Sequence, residues 1–202
     1  MRKLYLVALL SGLAAATPAF AQDTGAPATG NAPMTGLRVE GIAGWDRINT
    51  NPGHGDGVAY GGVVGYDIGL GSNAIIGVEG EVDGSTMRDC DNGVFAAGDR
   101  LCSRAGRDLY VGGRIGTRVG GNTLLYAKAG YTNARLTTTY NDGTGAGLGN
   151  FRTSDDLDGW RLGAGAEFGL GAHTYLKAEY RYSNYEHDID RHQVVAGVGV
   201  RF

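Results

Sequence analysis

The chain has 202 residues, 42% hydrophobic and 19% charged, with 18 basic and 21 acidic side chains and a formal net charge of -3. That is enough for one domain, and the mild acidity excludes the basic patch or stripe that a nucleic-acid partner would require. Beyond the N-terminal segment no run of 18 or more apolar residues occurs, which excludes a transmembrane helix but not membrane strands, whose alternating stretches need only about 9 to 11 residues each.

In chain order the first element is a secretory signal. Met1-Arg2-Lys3 precede an apolar run from Leu4 to Ala16, and Thr17-Pro18-Ala19-Phe20-Ala21 supplies a small-x-small site, so cleavage is predicted after Ala21. Loss of residues 1–21 removes Arg2 and Lys3, leaving 16 basic and 21 acidic residues, a net of -5. Residues 22–36 are rich in Ala, Thr, Gly and Pro without periodicity and read as a flexible periplasmic leader. The prolines, Pro18, Pro27, Pro33 and Pro52, all come early, so none interrupts a hydrogen-bonded ladder from residue 53 onward.

From residue 37 to 202 the hydropathy period is two. Eight alternating segments follow, at about 37–46, 58–68, 74–85, 108–119, 124–135, 158–169, 174–184 and 191–202, each long enough to cross a bilayer when tilted. Short connections at 69–73, 120–123 and 170–173 follow the second, fourth and sixth segments, and longer polar ones follow the first, third and fifth. Small membrane barrels have short periplasmic turns and longer outer loops, so the long connections are expected outside and both termini in the periplasm. The last connection, near Tyr185 to Asp190, is short for an outer loop. Cys90 and Cys102 are 12 apart in the third connection. In an exported protein they are expected to pair, closing a loop for about 3 kcal/mol by loop entropy, and their spacing matches no redox or zinc pattern.

Successive strand residues point to opposite sides, and sorting them leaves one face free of charge. It carries Trp45, Tyr60, Tyr66, Val78, Val111, Tyr131, Trp160, Leu162, Phe168, Tyr180, Tyr182 and Phe202 among others, while the opposite face carries Arg38, Glu40, Asp67, Asp83, Arg135 and Arg201 with many glycines. A soluble ligand-binding barrel also alternates, with its apolar face inward, and a sandwich buries one face of each sheet. Two details favour the membrane orientation. The aromatics sit near segment ends, where interfacial girdles belong, and a glycine-rich charged face suits a crowded lumen. A Lys or Arg on the lipid face at mid-bilayer costs about 2–4 kcal/mol, so that face must stay clean, and open edges in hydrocarbon force closure. The expected fold is all-β, an eight-stranded antiparallel up-and-down transmembrane barrel over residues 37–202.

Several stretches carry a family resemblance: Gly65-Tyr66-Asp67, Gly77-Val78-Glu79-Gly80-Glu81, Tyr126-Ala127-Lys128-Ala129-Gly130-Tyr131, Gly159-Trp160-Arg161-Leu162-Gly163-Ala164-Gly165, Lys177-Ala178-Glu179-Tyr180-Arg181-Tyr182 and Val198-Gly199-Val200-Arg201-Phe202. The chain resembles the opacity-protein-like outer-membrane β-barrels, related in architecture to the OmpA and OmpX barrels. The resemblance implies the cell outer membrane, a C-terminal aromatic assembly signal at Phe202, and a structural, adhesive or porin-like role.

Eight strands enclose an interior that side chains just fill. The expected fillers are a lumen charge network of Glu79, Glu81, Arg114, Arg118, Lys128, Arg161, Glu167, Lys177, Glu179 and Arg181, with an aromatic girdle of Trp45, Tyr66, Tyr131, Trp160, Phe168 and Tyr182 outside. The leading function is a non-enzymatic structural or surface-interaction barrel, because irregular polar sequence concentrates in the outer connections. A narrow channel through a wet lumen is the alternative. An outer-membrane hydrolase using Ser183, His187 and His192 with Asp188 or Asp190 is a remote one, since nothing sets a triad spacing. Asp155, Asp156 and Asp158 lack a calcium-loop pattern, and His54, His173, His187 and His192 are scattered, so no metal site and no cofactor are expected. The expected partners are outer-membrane lipid and lipopolysaccharide, the barrel-assembly machinery, and an extracellular ligand or host surface, with no nucleic acid.

Overall fold

A computed structural model describes residues 34–50, 53–95, 98–143, 149–186 and 189–202. The predicted signal at 1–21, most of the leader at 22–36, and His187 and Asp188 lie outside the described residues. The chain forms β1 (Gly36–Thr50), β2 (Gly53–Leu70), β3 (Ala74–Ser85), β4 (Arg88–Asn92), β5 (Arg100–Val119), β6 (Thr123–Asn141), β7 (Phe151–Gly169), β8 (Thr174–Tyr185) and β9 (Ile189–Arg201). All pairings are antiparallel between sequence neighbours, except that β3 skips β4 to pair with β5, and β1 pairs with β9. These two seams, with Ile76 opposite Ile115 and Val39 opposite Val200, close eight strands into a ring.

The ring leaves no open edge in hydrocarbon, as an antiparallel membrane sheet requires. The turn ends of β2 and β5 are tight: Gly71 and Gly120 adopt φ of 70° and 67°, the left-handed region that glycine enters at no steric cost. Parity sets the two faces. Val78 is 65% exposed and Val111 61%, whereas Glu79 is 3% and Arg38 0% exposed. The girdle members Trp45, Tyr66, Tyr131, Trp160 and Phe168 all point outward, and Tyr182, half-buried, packs its ring 5.5 Å from that of Trp160. Along β7, Trp160 and Phe168 are eight residues apart, about 27 Å of strand, which a tilt near 40° reduces to roughly the 20–25 Å of a membrane-facing band.

Three expectations are corrected. The strands overrun the bilayer: β5, β6 and β7 have 20, 19 and 19 residues, about twice the 9–11 of a tilted crossing. The stretches read as outer loops around 86–106 and 136–156 are therefore largely sheet, with β4 a ninth strand outside the ring that pairs with β5. The outward face of this sheet is polar, and its inward face mixes Ser103, Thr138 and Asp155 with Leu101, Tyr140 and Phe151, so a hydropathy period shows little contrast. Finally, Arg135 shares the parity of Tyr131 and faces outward, on the half-exposed upper sheet rather than in the lumen. Cys90 stands directly opposite Cys102 in the β4–β5 hairpin and is bonded to it, with Cα atoms 4.1 Å apart.

Candidate functional site

Among the described residues, buried charge is concentrated in the lumen. Among the described residues between and just beyond the girdles, eight basic and nine acidic side chains are buried, so the interior is close to neutral. They stack in layers, because each strand delivers an inward residue at every second position.

Nearest the short turns, Arg114 grips Asp67 through Nε and Nη2 at 2.8 and 2.5 Å and reaches Glu167 at 2.5 Å, while Arg201 donates to Glu167 at 2.8 Å. Above them, Arg38 donates to Glu40 and Glu79 and lies 3.2 Å from Asp67. Lys177 meets Glu40 at 2.6 Å and Glu179 at 3.2 Å. Lys128 reaches Glu79 and Glu179 at 2.9 Å and also binds Glu81. Arg181 bridges Glu81 at 2.7 Å, Asp83 at 3.1 Å and Glu179. The outermost layer joins Arg161 to Asp83, Ser183 and Asp108, and Arg191 to Asp46 and Asp108.

Aromatic rings separate the layers. Lys128 and Arg161 lie over the Tyr110 ring at 4.8 and 5.2 Å, and Arg114 and Lys177 over Tyr126 at 4.9 and 5.9 Å, a cation–π geometry that strengthens where water is excluded. The long side chains need seats on the opposite wall. Gly65 is one: a Cβ there would stand 2.6 Å from Arg38 Nη2. Apolar clusters close both ends, Met34 with Ile75 and Leu124 by the turns, and Ile48 with Met87, Ala105 and Ile189 at the outer end.

Of the ten residues expected in the lumen, Glu79, Glu81, Arg114, Lys128, Arg161, Glu167, Lys177, Glu179 and Arg181 are brought together in these layers. Arg118 departs from that placement: it lies half-buried at the turn end, its Nε 3.3 Å from Met34 Sδ. Asp46, Asp108 and Arg191 also belong to the network, beyond the ten expected. Asp46 and Arg191 are the end residues of the segments at 37–46 and 191–202 and continue the inward parity of β1 and β9, so the same sorting of faces reaches them. Asp108 shares the inward parity of Tyr110 and Arg114 at the start of the segment 108–119; the irregular register lies just before it, between Ala105 and Asp108, and shifts the parity only of the upper part of β5.

The hydrolase candidates do not converge. Ser183 is buried inside against Arg161, whereas His192 is on the outward parity, its Nδ1 2.7 Å from the Tyr180 hydroxyl, and Asp190 accepts from Tyr182 and Asn184. Asp156 is held by Arg135 and lies 3.5 Å from Arg107, and Asp158 accepts from Tyr131 and Asn133. No cluster of three metal-ligating side chains occurs among the described residues. Hydrogen bonds from Arg135 hold the Asp156 carboxyl below the usual carboxylate range, and those from Arg47 do the same for Asp56.

Residues 6–202 match the outer membrane protein β-barrel domain family. The sequence is 26% identical over 129 residues to the 31 kDa outer-membrane immunogenic protein of Brucella melitensis biotype 1, covering 61% of this chain and 52% of that one, and equally to its Brucella suis biovar 1 counterpart. The chain thus spans about half the length of the curated relatives it matches. In fold it is similar to Ail, the attachment invasion locus protein of Yersinia pestis, solved with the heparin analogue sucrose octasulfate, with a TM-score of 0.57, 16% identity and coverage of 84% of this chain and 100% of that one. Neisserial surface protein A superposes with a TM-score of 0.56 at 15% identity, covering 83% and 98%.

Proposed function

From the premise that this chain belongs to the outer-membrane protein β-barrel domain family and resides in the cell outer membrane, we propose that it is a non-enzymatic barrel with a plugged lumen, serving as a rigid scaffold for surface interaction. The observation that carries this reading is the layered network itself: a lumen just wide enough for side chains is occupied by charges that bind one another from opposite walls. Arg38 and Glu79 are 41 residues apart, and Arg191 and Asp108 are 83 apart. Removing one partner of such a network strands the others at about 3–5 kcal/mol, so the network opposes opening as well as filling the space.

What remains accessible is the outer sheet of β4 and the upper β5, β6 and β7, held off the membrane on rigid strands, the arrangement in which binding surfaces are commonly displayed. Outer-leaflet lipid surrounds the girdles, and an extracellular ligand or host surface is the partner of the sheet. Phe202, outward and 59% exposed at the turn end of the last strand, is the proposed signal read by the barrel-assembly machinery. Export depends on the segment at 1–21, and the mature N-terminus is expected at Gln22.

Planar-bilayer recording on the purified protein tests the plug. Silence is expected; steady conductance altered by Glu79→Gln or Arg114→Met would establish the narrow channel instead.

A further inference from the structure

The outward face of the upper sheet carries an arginine cluster that neither the lumen nor the girdles use. In register, Arg88 stands directly opposite Arg104, Arg100 follows two positions beyond Cys102 on the same face, and Arg152 pairs with Thr139, itself opposite Cys102. Like charges directly opposed on one face of a sheet repel, yet none of these four exposed guanidiniums has a carboxylate partner among the described residues. They line a concavity of about 310 Å³ whose floor is Cys102, Thr137, Thr139 and Asn141. The disulfide fixes its shape by locking β4 to β5.

This basic face is continuous with the lipid-facing wall below it. A second cleft, of about 600 Å³, shares Arg88 and Arg104, adds Arg107, and descends to Tyr60 at the girdle. Lower on the same wall lies an apolar depression of about 720 Å³ between Ile76, Val78, Ile115 and Leu162, floored by Ala127 and Ala129. Acyl-compatible surface, girdle cleft and anion-compatible cleft therefore follow one another up the same strands.

Height identifies the occupant. Thr137, level with Arg104, is six residues beyond the girdle residue Tyr131, about 20 Å of strand and roughly 15 Å of height after tilt. A phospholipid headgroup adds only about 5–8 Å per leaflet and falls short. A lipid whose headgroup is a glycan bearing several phosphates spans the distance.

We propose that this wall, from the apolar depression to Arg88, Arg100, Arg104 and Arg152, is a docking site for a lipopolysaccharide-type phosphorylated glycolipid of the outer leaflet. The inference rests on the membrane orientation above and is independent of whether the lumen conducts. Guanidiniums bind phosphate bidentately, so several of them facing one headgroup select for its phosphates while the depression holds acyl chains.

The test is native mass spectrometry of the full mature chain in detergent micelles, titrated with bisphosphorylated lipopolysaccharide, the same lipid after enzymatic dephosphorylation, and heparin. The phosphorylated lipid is expected to bind at least about tenfold more tightly than the dephosphorylated one, and the exposed triple variant Arg88→Gln/Arg104→Gln/Arg152→Gln to lose about that factor while keeping its heat-modifiable gel mobility. Equal binding of the two lipids, or an unchanged variant, would overturn the proposal. So would displacement of the lipid by heparin at matched charge, which would reassign the cluster to a free polyanion. If the variant fails to fold, the comparison of the two lipids on the native chain still decides. A failed lipid comparison with a silent bilayer recording removes this site and leaves the plugged-barrel reading intact.

Discussion

Two ion pairs in this molecule share one geometry. In the lumen, Arg191 donates through Nε and Nη2 to the two oxygens of Asp46 at 2.8 and 2.8 Å; on the upper sheet, Arg135 does the same to Asp156 at 2.8 and 2.8 Å. The side chains of the first pair are 2% and 0% exposed, those of the second 42% and 43%. Equal contacts do not mean equal energies: water can replace either partner on the sheet, whereas in the lumen a bereaved charge has no substitute.

The largest expected effect breaks the inner pair. Arg191→Met leaves Asp46 and Asp108 short of their cation, and urea unfolding in lipid vesicles should show a loss of about 3–5 kcal/mol. Next comes the hairpin that joins the two regions. Cys90→Ser with Cys102→Ser removes a cross-link whose loop-entropy value is about 3 kcal/mol; hydrogen exchange should rise in β4 and the start of β5 while the ring amides stay protected. Smaller again is Gly65→Ala, which presses a methyl against the pinned Arg38 guanidinium and should cost about 1–3 kcal/mol in the same unfolding assay.

At the bottom of the scale, Arg135→Met should leave the unfolding midpoint unchanged within error. It should nonetheless move a titration. Asp156 has a lowered pKa because Arg135 hydrogen-bonds to its charged form, so the pair's contribution is complete above the ordinary carboxylate range and fades as pH falls through the lowered value. Carbon-13 NMR of the Asp156 carboxyl should place its midpoint below the usual carboxylate value in the native chain, and nearer that value in Arg135→Met.

The same contrast explains what the sequence disclosed. Between the girdles the two faces differ completely: Val78 meets lipid and Glu79 meets Lys128, so alternation alone sorted the wall and found most of the network. Above the girdle the outward face is polar and the inward face mixes polar residues with Leu101, Tyr140 and Phe151, so the alternation weakens. Alternation therefore leaves β4 and the long upper ends of β5, β6 and β7 as loops, and Arg135 faces outward with the parity of Tyr131. Asp108, the first regular position of β5 below its irregular register, is contacted by four buried side chains, Thr132, Arg161, Tyr185 and Arg191. The apolar ends of the lumen were invisible for a different reason. Met34, Ile75 and Leu124 belong to the charged face by parity, and only packing across the ring brings them together.

The sorting of faces on which the whole account turns is most directly measured by nitroxide accessibility in liposomes. Labels at Val78, Val111, Ala129 and Leu162 should collide freely with dissolved oxygen and scarcely with a water-soluble nickel chelate, as in hydrocarbon. High nickel accessibility at these four positions would contradict it, placing the apolar face in water and the charged interior without its reason to close.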